Sequence, residues 1–280
     1  MSGVDLRYVA SSGNSYNLRN STLKTRADAN FHKWNWGVNA TPLQFGGRVS
    51  AFTRPAIVYE ATLTLFGTTK SNQELLGMLH DDFENDVRSM KPGRLIWGSY
   101  YIECYATSSE TTPDNNVAID NKVSFYCPYP FWIQEQKIGL FAQQIEQSGF
   151  LDFSFDFPFD FTAPVVGTKI VPSDFPFSSE FRMVIYGQAV NPRIVINGHP
   201  YVLYTTIPQG AYVLVDSKAK TIVMYGSDGA RTNMFNFRNK TDSIFTKIPG
   251  GNLTITWDAS FGADITIFRE RSEPRFEVTT

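Results

Sequence analysis

Three sets of residues in this 280-residue chain are of types that could do chemistry: its histidines, its two cysteines and a spaced row of aspartates. His32, His80 and His199 are far apart in sequence and share no motif. His80 falls in a helical pattern beside Asp81 and reads as a solvated surface side chain. The sequence holds no His-Glu-x-x-His, no P-loop and no Gly-x-Ser-x-Gly nucleophile turn. Gly226-Ser227-Asp228-Gly229 lacks that last spacing and reads as a hairpin turn. Cys104 and Cys127 stand in apolar, strand-like stretches with no zinc spacing, so they read as buried thiols. Asp152, Asp156 and Asp160 are four apart; on an extended strand such neighbours are separated by roughly 13 Å. A calcium shell holds its ligands at about 2.4 Å, and no EF-hand loop is present. These aspartates therefore read as charges guarding a sticky strand. No catalytic residue, cofactor site or metal site is assigned, and the chain is expected not to be an enzyme.

The strand they guard is Phe153, Phe155, Phe157, Phe159 and Phe161, one phenylalanine at every second residue. A period of two puts all five rings on one face of an extended segment. Pro158 has no amide hydrogen to give a ladder, which argues for an edge or an irregular extended segment. A Phe face at a sheet edge must be covered, either by the chain's own second sheet or by a neighbouring subunit. Its place after a proline-rich joint makes it a candidate interdomain strand.

Bulk composition narrows the classes. Hydrophobic residues make up 42% and charged residues 19% of the chain, so global disorder is not expected. The net charge of −2 leaves no Lys/Arg surplus for a nucleic-acid face, so specific nucleic-acid binding is not expected. Residues 1–10 include Asp5 and Arg7 without an apolar core, so no signal peptide is read there. No run approaches the ~18 apolar residues of a membrane helix, so membrane insertion is not expected.

Most of the chain reads as β. Ile57–Phe66, 95–105 and 122–126 are rich in β-branched and aromatic residues. One helix is expected over 72–90, capped by Ser71 or Asn72, with Leu75, Leu76, Leu79, Phe83, Val87 and Met90 at helical spacing. Asp81, Asp82, Glu84 and Asp86 read as its wet face, and Pro92-Gly93 ends it. Cys127-Pro128-Tyr129-Pro130-Phe131-Trp132 reads as a stiff joint between domains 1–132 and 133–280. Beyond it, short strands alternate with turns as in a β-sandwich. They are expected at 181–186, 193–196, 201–206, 212–215, 221–225, 253–257 and 264–269, with Asn197-Gly198 as a hairpin turn. Residues 13–52 resist assignment, mixing Asn, Thr and Gly with Phe31, Trp34, Trp36 and Phe45. So long a segment without secondary structure is uncommon unless it binds something, and it reads as an arm whose partners lie on another subunit.

The ordered motifs of the second half resemble the distal tail proteins of long-tailed bacteriophages with non-contractile tails. They are Phe155-Asp156-Phe157-Pro158-Phe159-Asp160-Phe161, Ile185-Tyr186-Gly187, Asn191-Pro192-Arg193-Ile194, Asn197-Gly198-His199-Pro200-Tyr201, Val215-Asp216, Lys220-Thr221-Ile222, Asn233-Met234-Phe235, Ile248-Pro249-Gly250-Gly251-Asn252 and Arg271-Ser272-Glu273-Pro274-Arg275. The first half is similar in layout. The resemblance implies a mainly β chain, with an N-terminal α+β ring-forming domain and a C-terminal galectin-like β-sandwich. It implies a structural role in the virion tail tip: a homohexameric ring, made in the host cytoplasm, between the tail tube protein and the tail-tip hub protein. In some members the ring carries receptor-binding proteins through an inserted arm; no insertion of that size stands between Phe181 and Phe268. Under this reading residues 13–52 become an intersubunit belt, with Phe31, Trp34, Trp36 and Phe45 as its candidate contacts. Two other readings stay open: a carbohydrate-binding adhesion module, with Trp132 and Trp257 weighed as sugar-stacking or buried, and a glycan-active enzyme.

Overall fold

The computed structural model describes residues 4–26, 29–113, 118–142 and 167–275. The chain divides into two compact units. Unit 1 comprises the residues up to Gln134 together with those from Glu270 on, and unit 2 runs from Glu135 to Arg269. The proline-rich segment 127–132 lies inside unit 1, two residues before that division. Cys127, Pro130 and Trp132 in it are buried.

Unit 1 contains β1 (Leu6–Val9), β2 (Ser15–Asn17), β3 (Leu23–Thr25), β4 (Gly37–Pro42), β5 (Gly47–Thr53), β6 (Ile57–Phe66), α1 (Thr69–Arg88), β7 (Gly93–Trp97), β8 (Tyr100–Pro113) and β9 (Ala118–Cys127). The long strand β8 serves two sheets. Its first residues pair with β7 in the order β2-β1-β7-β8, and its later ones pair with β9, which continues to β6 and β3. A bulge between Ala106 and Ser108 marks the change. Among the described residues, the segment 13–52, expected to lack secondary structure, holds four short strands. The expected stretch 95–105 is split at Gly98 (φ +57) into β7 and β8.

The helix begins three residues before the expected start. Its N-cap is Thr68, held in extended geometry, whose hydroxyl accepts from the Ser71 amide at 3.3 Å. Leu79 and Phe83 are buried, Leu75 and Leu76 half-buried, and Val87 and Met90 exposed, Met90 lying beyond the helix end. Phe83 meets Tyr8 edge-on at 5.0 Å and Phe125 at 5.9 Å. Burial of such side chains stabilises by about 1.5–3 kcal/mol each.

Unit 2 contains β10 (Trp132–Leu140, whose first residues belong to unit 1), β11 (Gly167–Val171), β12 (Glu180–Tyr186), β13 (Ala189–Val190), β14 (Arg193–Ile196), β15 (His199–Val202), β16 (Thr206–Ile207), β17 (Tyr212–Asp216), β18 (Thr221–Tyr225), β19 (Arg231–Asn233), β20 (Leu253–Trp257) and β21 (Ala263–Arg271). One sheet has the order β19-β18-β17-β12-β21-β10 and a second has β11-β20-β14-β15. Their facing residues alternate inward, Phe181, Met183 and Ile185 from the first sheet and Ile194, Ile196, Leu253 and Ile255 from the second, into one core. Asn197 (φ +47) and Gly198 (φ +87) form the β14–β15 hairpin turn. Among the described residues the fold is therefore mainly β with one long helix, as the residue patterns imply.

Candidate functional site: an exposed hairpin arm

Most of the groups that could have carried chemistry have local partners. His80 is half-buried rather than solvated: its Nε2 lies 2.9 Å from Ser109 Oγ and 3.3 Å from Asn121 Nδ2. His199 Nε2 lies 3.0 Å from the Ser243 carbonyl oxygen. His32 sits edge-on to Trp97 at 5.0 Å, and burial pushes its pKa below the usual histidine range against the pull of the Glu273 charge. Cys104 and Cys127 are buried free thiols, and burial together with the neighbouring Cys127 drives the Cys104 thiol well up. Trp132 and Trp257 are both buried. Among the described residues no three His, Cys, Asp or Glu converge to hold a metal ion. The aspartates and phenylalanines of 152–161 lie outside the described residues.

Two of the helix aspartates are not wet. Asp86 is fully buried, and Asp82 nearly so. Asp86 accepts the Tyr8 hydroxyl and, at 2.9 Å, the Ser11 amide. Asp82 accepts Tyr16 Oη at 2.5 Å, Ser12 Oγ at 2.7 Å and Asn14 Nδ2 at 3.0 Å. Burial alone would raise the Asp82 pKa; the three donors outweigh it and hold the carboxyl below its ordinary range. These carboxylates fasten α1 to the β1–β2 hairpin. They have a structural partner for each oxygen and no open face for a substrate.

The surface that does stand out is the hairpin of β4 and β5. Its strands are exposed along almost their whole length. Directly opposed pairs are Val38 and Phe52, Ala40 and Val49, Pro42 and Gly47. Opposed residues share a face, and the extra residue at the register shift beside Asn39 and Ala40 lies on β5, so these pairs line one side of the ribbon. Between them Asn39 pairs with Ala51, and Thr41 with Arg48, on the other side. Ser50 is the extra residue of a bulge, and its hydroxyl donates to the Asn39 carbonyl at 3.0 Å. Without the bulge, Val49 would fall on the polar side. The tip turns through Gly46 (φ +78), closed by Leu43 N–H donating to Gly46 O at 3.0 Å.

Phe45 at the tip is 86% exposed, Phe52 62% and Val38 56%. An isolated two-stranded hairpin is marginally stable in water, and a contiguous apolar face of this kind marks a contact surface. Of the candidate belt residues, Trp34, Trp36 and Phe45 are exposed, whereas Phe31 is buried against Tyr59 and Trp97 at 5.8 and 6.1 Å.

The arm's base is held by Arg54. Its guanidinium lies 4.4 Å from the Phe131 ring centroid and 5.4 Å from that of Trp36. It also donates to the Ser272 hydroxyl and, at 3.0 Å, to the Ser272 carbonyl. Behind it, Tyr59 donates to the Lys33 carbonyl at 3.1 Å and accepts Trp132 Nε1 at 3.2 Å. Burial raises the Tyr59 pKa to about 12, so the phenol stays protonated across the physiological range.

No protein-family model matches the sequence, nor does any curated protein. Solved structures do. The SPP1 Dit (gp 19.1) protein, described as a paradigm of the hub adsorption apparatus in phages infecting Gram-positive bacteria, is 9% identical with a TM-score of 0.59; the match covers 95% of this chain and 99% of that one. A chain of the phage P2 baseplate in its activated conformation with Ca is 13% identical with a TM-score of 0.62, covering 97% and 99%. The same baseplate with Sr gives 13% and 0.63 over the same shares. The likeness covers 95–97% of the chain, across both units, and the chain has the Dit-like fold of these phage hub and baseplate proteins.

Proposed function

We propose that the chain is a structural, non-enzymatic subunit of a phage tail tip. In this reading six copies form a ring that joins the tail tube protein to the tail-tip hub protein and surrounds the DNA channel. The virion tail is its place of work. The observation that carries the reading is the β4–β5 arm: a bulged hairpin with one continuous apolar face, left exposed on a chain of Dit-like fold. A head-to-tail contact made by such an arm generates a closed ring when its rotation closes. The small net charge of −2 suits a channel wall, because each phosphate contact by Lys or Arg would strengthen binding and slow passage.

Native mass spectrometry of the full chain tests the ring. A single species at six times the chain mass of 31.6 kDa is expected. A strict monomer at high concentration overturns the reading.

A further inference from the structure

The larger sheet of unit 2 carries an ordered row of tyrosines on the face turned away from its core. Tyr186, Tyr212 and Tyr225 occupy directly opposed positions on β12, β17 and β18. Tyr212 and Tyr225 stack with centroids 4.9 Å apart and planes 13° from parallel, and Tyr186 follows at 6.5 Å. Arg231, opposite Tyr225 on β19, closes one end with its guanidinium 5.3 Å from that ring. At the other end Tyr186 donates its hydroxyl hydrogen to Asp264 Oδ2 at 2.7 Å.

Beside this row stands a second one, Val184, Leu214 and Val223, again mutually opposed and each half-buried. Beyond it Arg182 pairs with Asp216 at 3.1 Å. The outer face of a half-solvated antiparallel sheet is ordinarily polar. Here it is a tall aromatic wall next to a low aliphatic floor, and stacking has already fixed the wall's rotamers. A surface ordered before binding loses little entropy when a ligand arrives.

The chemistry of this face selects its ligand. Its charges cancel, Arg231 against Asp264 and Arg182 against Asp216, so it has no attraction for a polyanion. One flat face of Tyr212 is taken up by Tyr225, and Tyr186 stands tilted beyond the other, so the row offers ring edges and hydroxyls to a ligand. The rings of the comb stand 4.9 and 6.5 Å apart, on the scale of one pyranose in an extended chain. Phenol hydroxyls at that interval can hydrogen-bond successive sugar hydroxyls, while the valine and leucine floor receives the C–H faces of the sugar rings. We propose that this face binds a neutral, linear polysaccharide laid across the strands. The proposal does not rest on the ring: a monomer would bind as well.

Calorimetric titration of the full chain against neutral linear hexasaccharides, among them β-1,4-linked glucose, β-1,4-linked galactose and β-1,4-linked N-acetylglucosamine, tests it. At least one is expected to bind with Kd of about a millimolar or tighter. Tyr212→Ala should weaken that binding about tenfold, the scale of one aromatic contact. Leu214→Ser, which leaves the tyrosines in place, should weaken it as well. Phe237→Ala, an exposed aromatic elsewhere in the unit, should leave it unchanged. No binding by any hexasaccharide overturns the proposal, as does binding that survives both Tyr212→Ala and Leu214→Ser. If Tyr212→Ala leaves glycan binding intact and breaks the oligomer, the face belongs to subunit contact and the proposal also fails.

Discussion

Tyr8 donates its phenol hydrogen to the carboxylate of Asp86, 78 residues further along the chain, and both side chains are buried. The contact is one half of a matched pair. Tyr8 and Tyr16 stand directly opposite each other on β1 and β2. Asp86 and Asp82 stand one helical turn apart on α1, and each takes the hydrogen of one tyrosine. A helical pitch of about 5.4 Å and a cross-strand spacing of about 5 Å are near enough for both bonds to form at once. Both phenols are pushed well above the ordinary tyrosine range, first by burial and then by the aspartate each faces.

Removing one partner of such a bond leaves the other buried and unsatisfied. Asp86→Ala should destabilise unit 1 by about 1–3 kcal/mol, because Tyr8 and the Ser11 amide both lose their acceptor. Tyr8→Phe should cost less. Gly93→Ala should act at the same point, since a Cβ there would collide with the Tyr8 hydroxyl and lie 2.6 Å from Asp86 Oδ2. Urea midpoints with unchanged m-values would show the loss as stability. Full stability in Asp86→Ala would remove the bond from any account of how the helix is held.

Asp82 predicts an acid limit. Its folded pKa is depressed, so the unfolded chain takes up its proton first as pH falls. The stability it contributes is fully present above the unfolded aspartate value of about 3.9 and disappears as pH falls through the lower folded value. Melting temperatures of the wild type should therefore drop more steeply below about pH 4 than those of Asp82→Asn. Equal slopes would mean that Asp82 carries no linked stability.

These aspartates show where the amino-acid pattern was readable and where it misled. Leu79, Asp82, Phe83 and Asp86 fall at i, i+3, i+4 and i+7, one face of a helix. Charge alone made the two acids read as solvent-facing; their spacing with Leu79 and Phe83 held the contrary signal. Strands with clean alternation and strong turns were legible: Ile57–Phe66, Arg193–Ile196, Thr221–Tyr225 and Leu253–Trp257 begin and end where the residues place them. The hairpin arm was not. Its bulge at Ser50 breaks the period of two in β5, and its apolar residues are spread over two short strands, so the common face exists only once the strands pair. The tyrosine row of unit 2 is similarly invisible, because Tyr186, Tyr212 and Tyr225 meet through register rather than through sequence spacing.

Arg54 joins three parts of unit 1: the arm base at Trp36, the proline-rich segment at Phe131 and the returning chain at Ser272. Planar stacking with simultaneous donation is available to a guanidinium and not to an ammonium. Arg54→Lys should thus behave nearly as badly as Arg54→Ala, each losing about 1–2 kcal/mol of stacking and hydrogen bonding. Limited proteolysis near residues 33–37 should accelerate in both. A lysine variant as resistant as the wild type would show that charge alone suffices at this position.

In the proposed ring, the arm separates assembly from folding. Val38 and Phe52 face the same side at its base and are both exposed, so polar replacements there remove little packing within the subunit beyond their own cross-strand contact. Val38→Ser with Phe52→Ser should leave the melting temperature of the isolated chain within about 2 °C of the wild type, as surface changes usually do. Burying two such side chains against a neighbouring copy contributes about 1.5–3 kcal/mol each, and a ring repeats that contact at every interface. The double variant should therefore shift to monomer in native mass spectra at concentrations where the wild type stays assembled. Thr41→Ser with Asn39→Ser, on the opposite face of the same ribbon, should not. Were the polar-face variant to dissociate the ring while Val38→Ser with Phe52→Ser left it whole, the apolar side of the arm would not be the side that meets the next subunit.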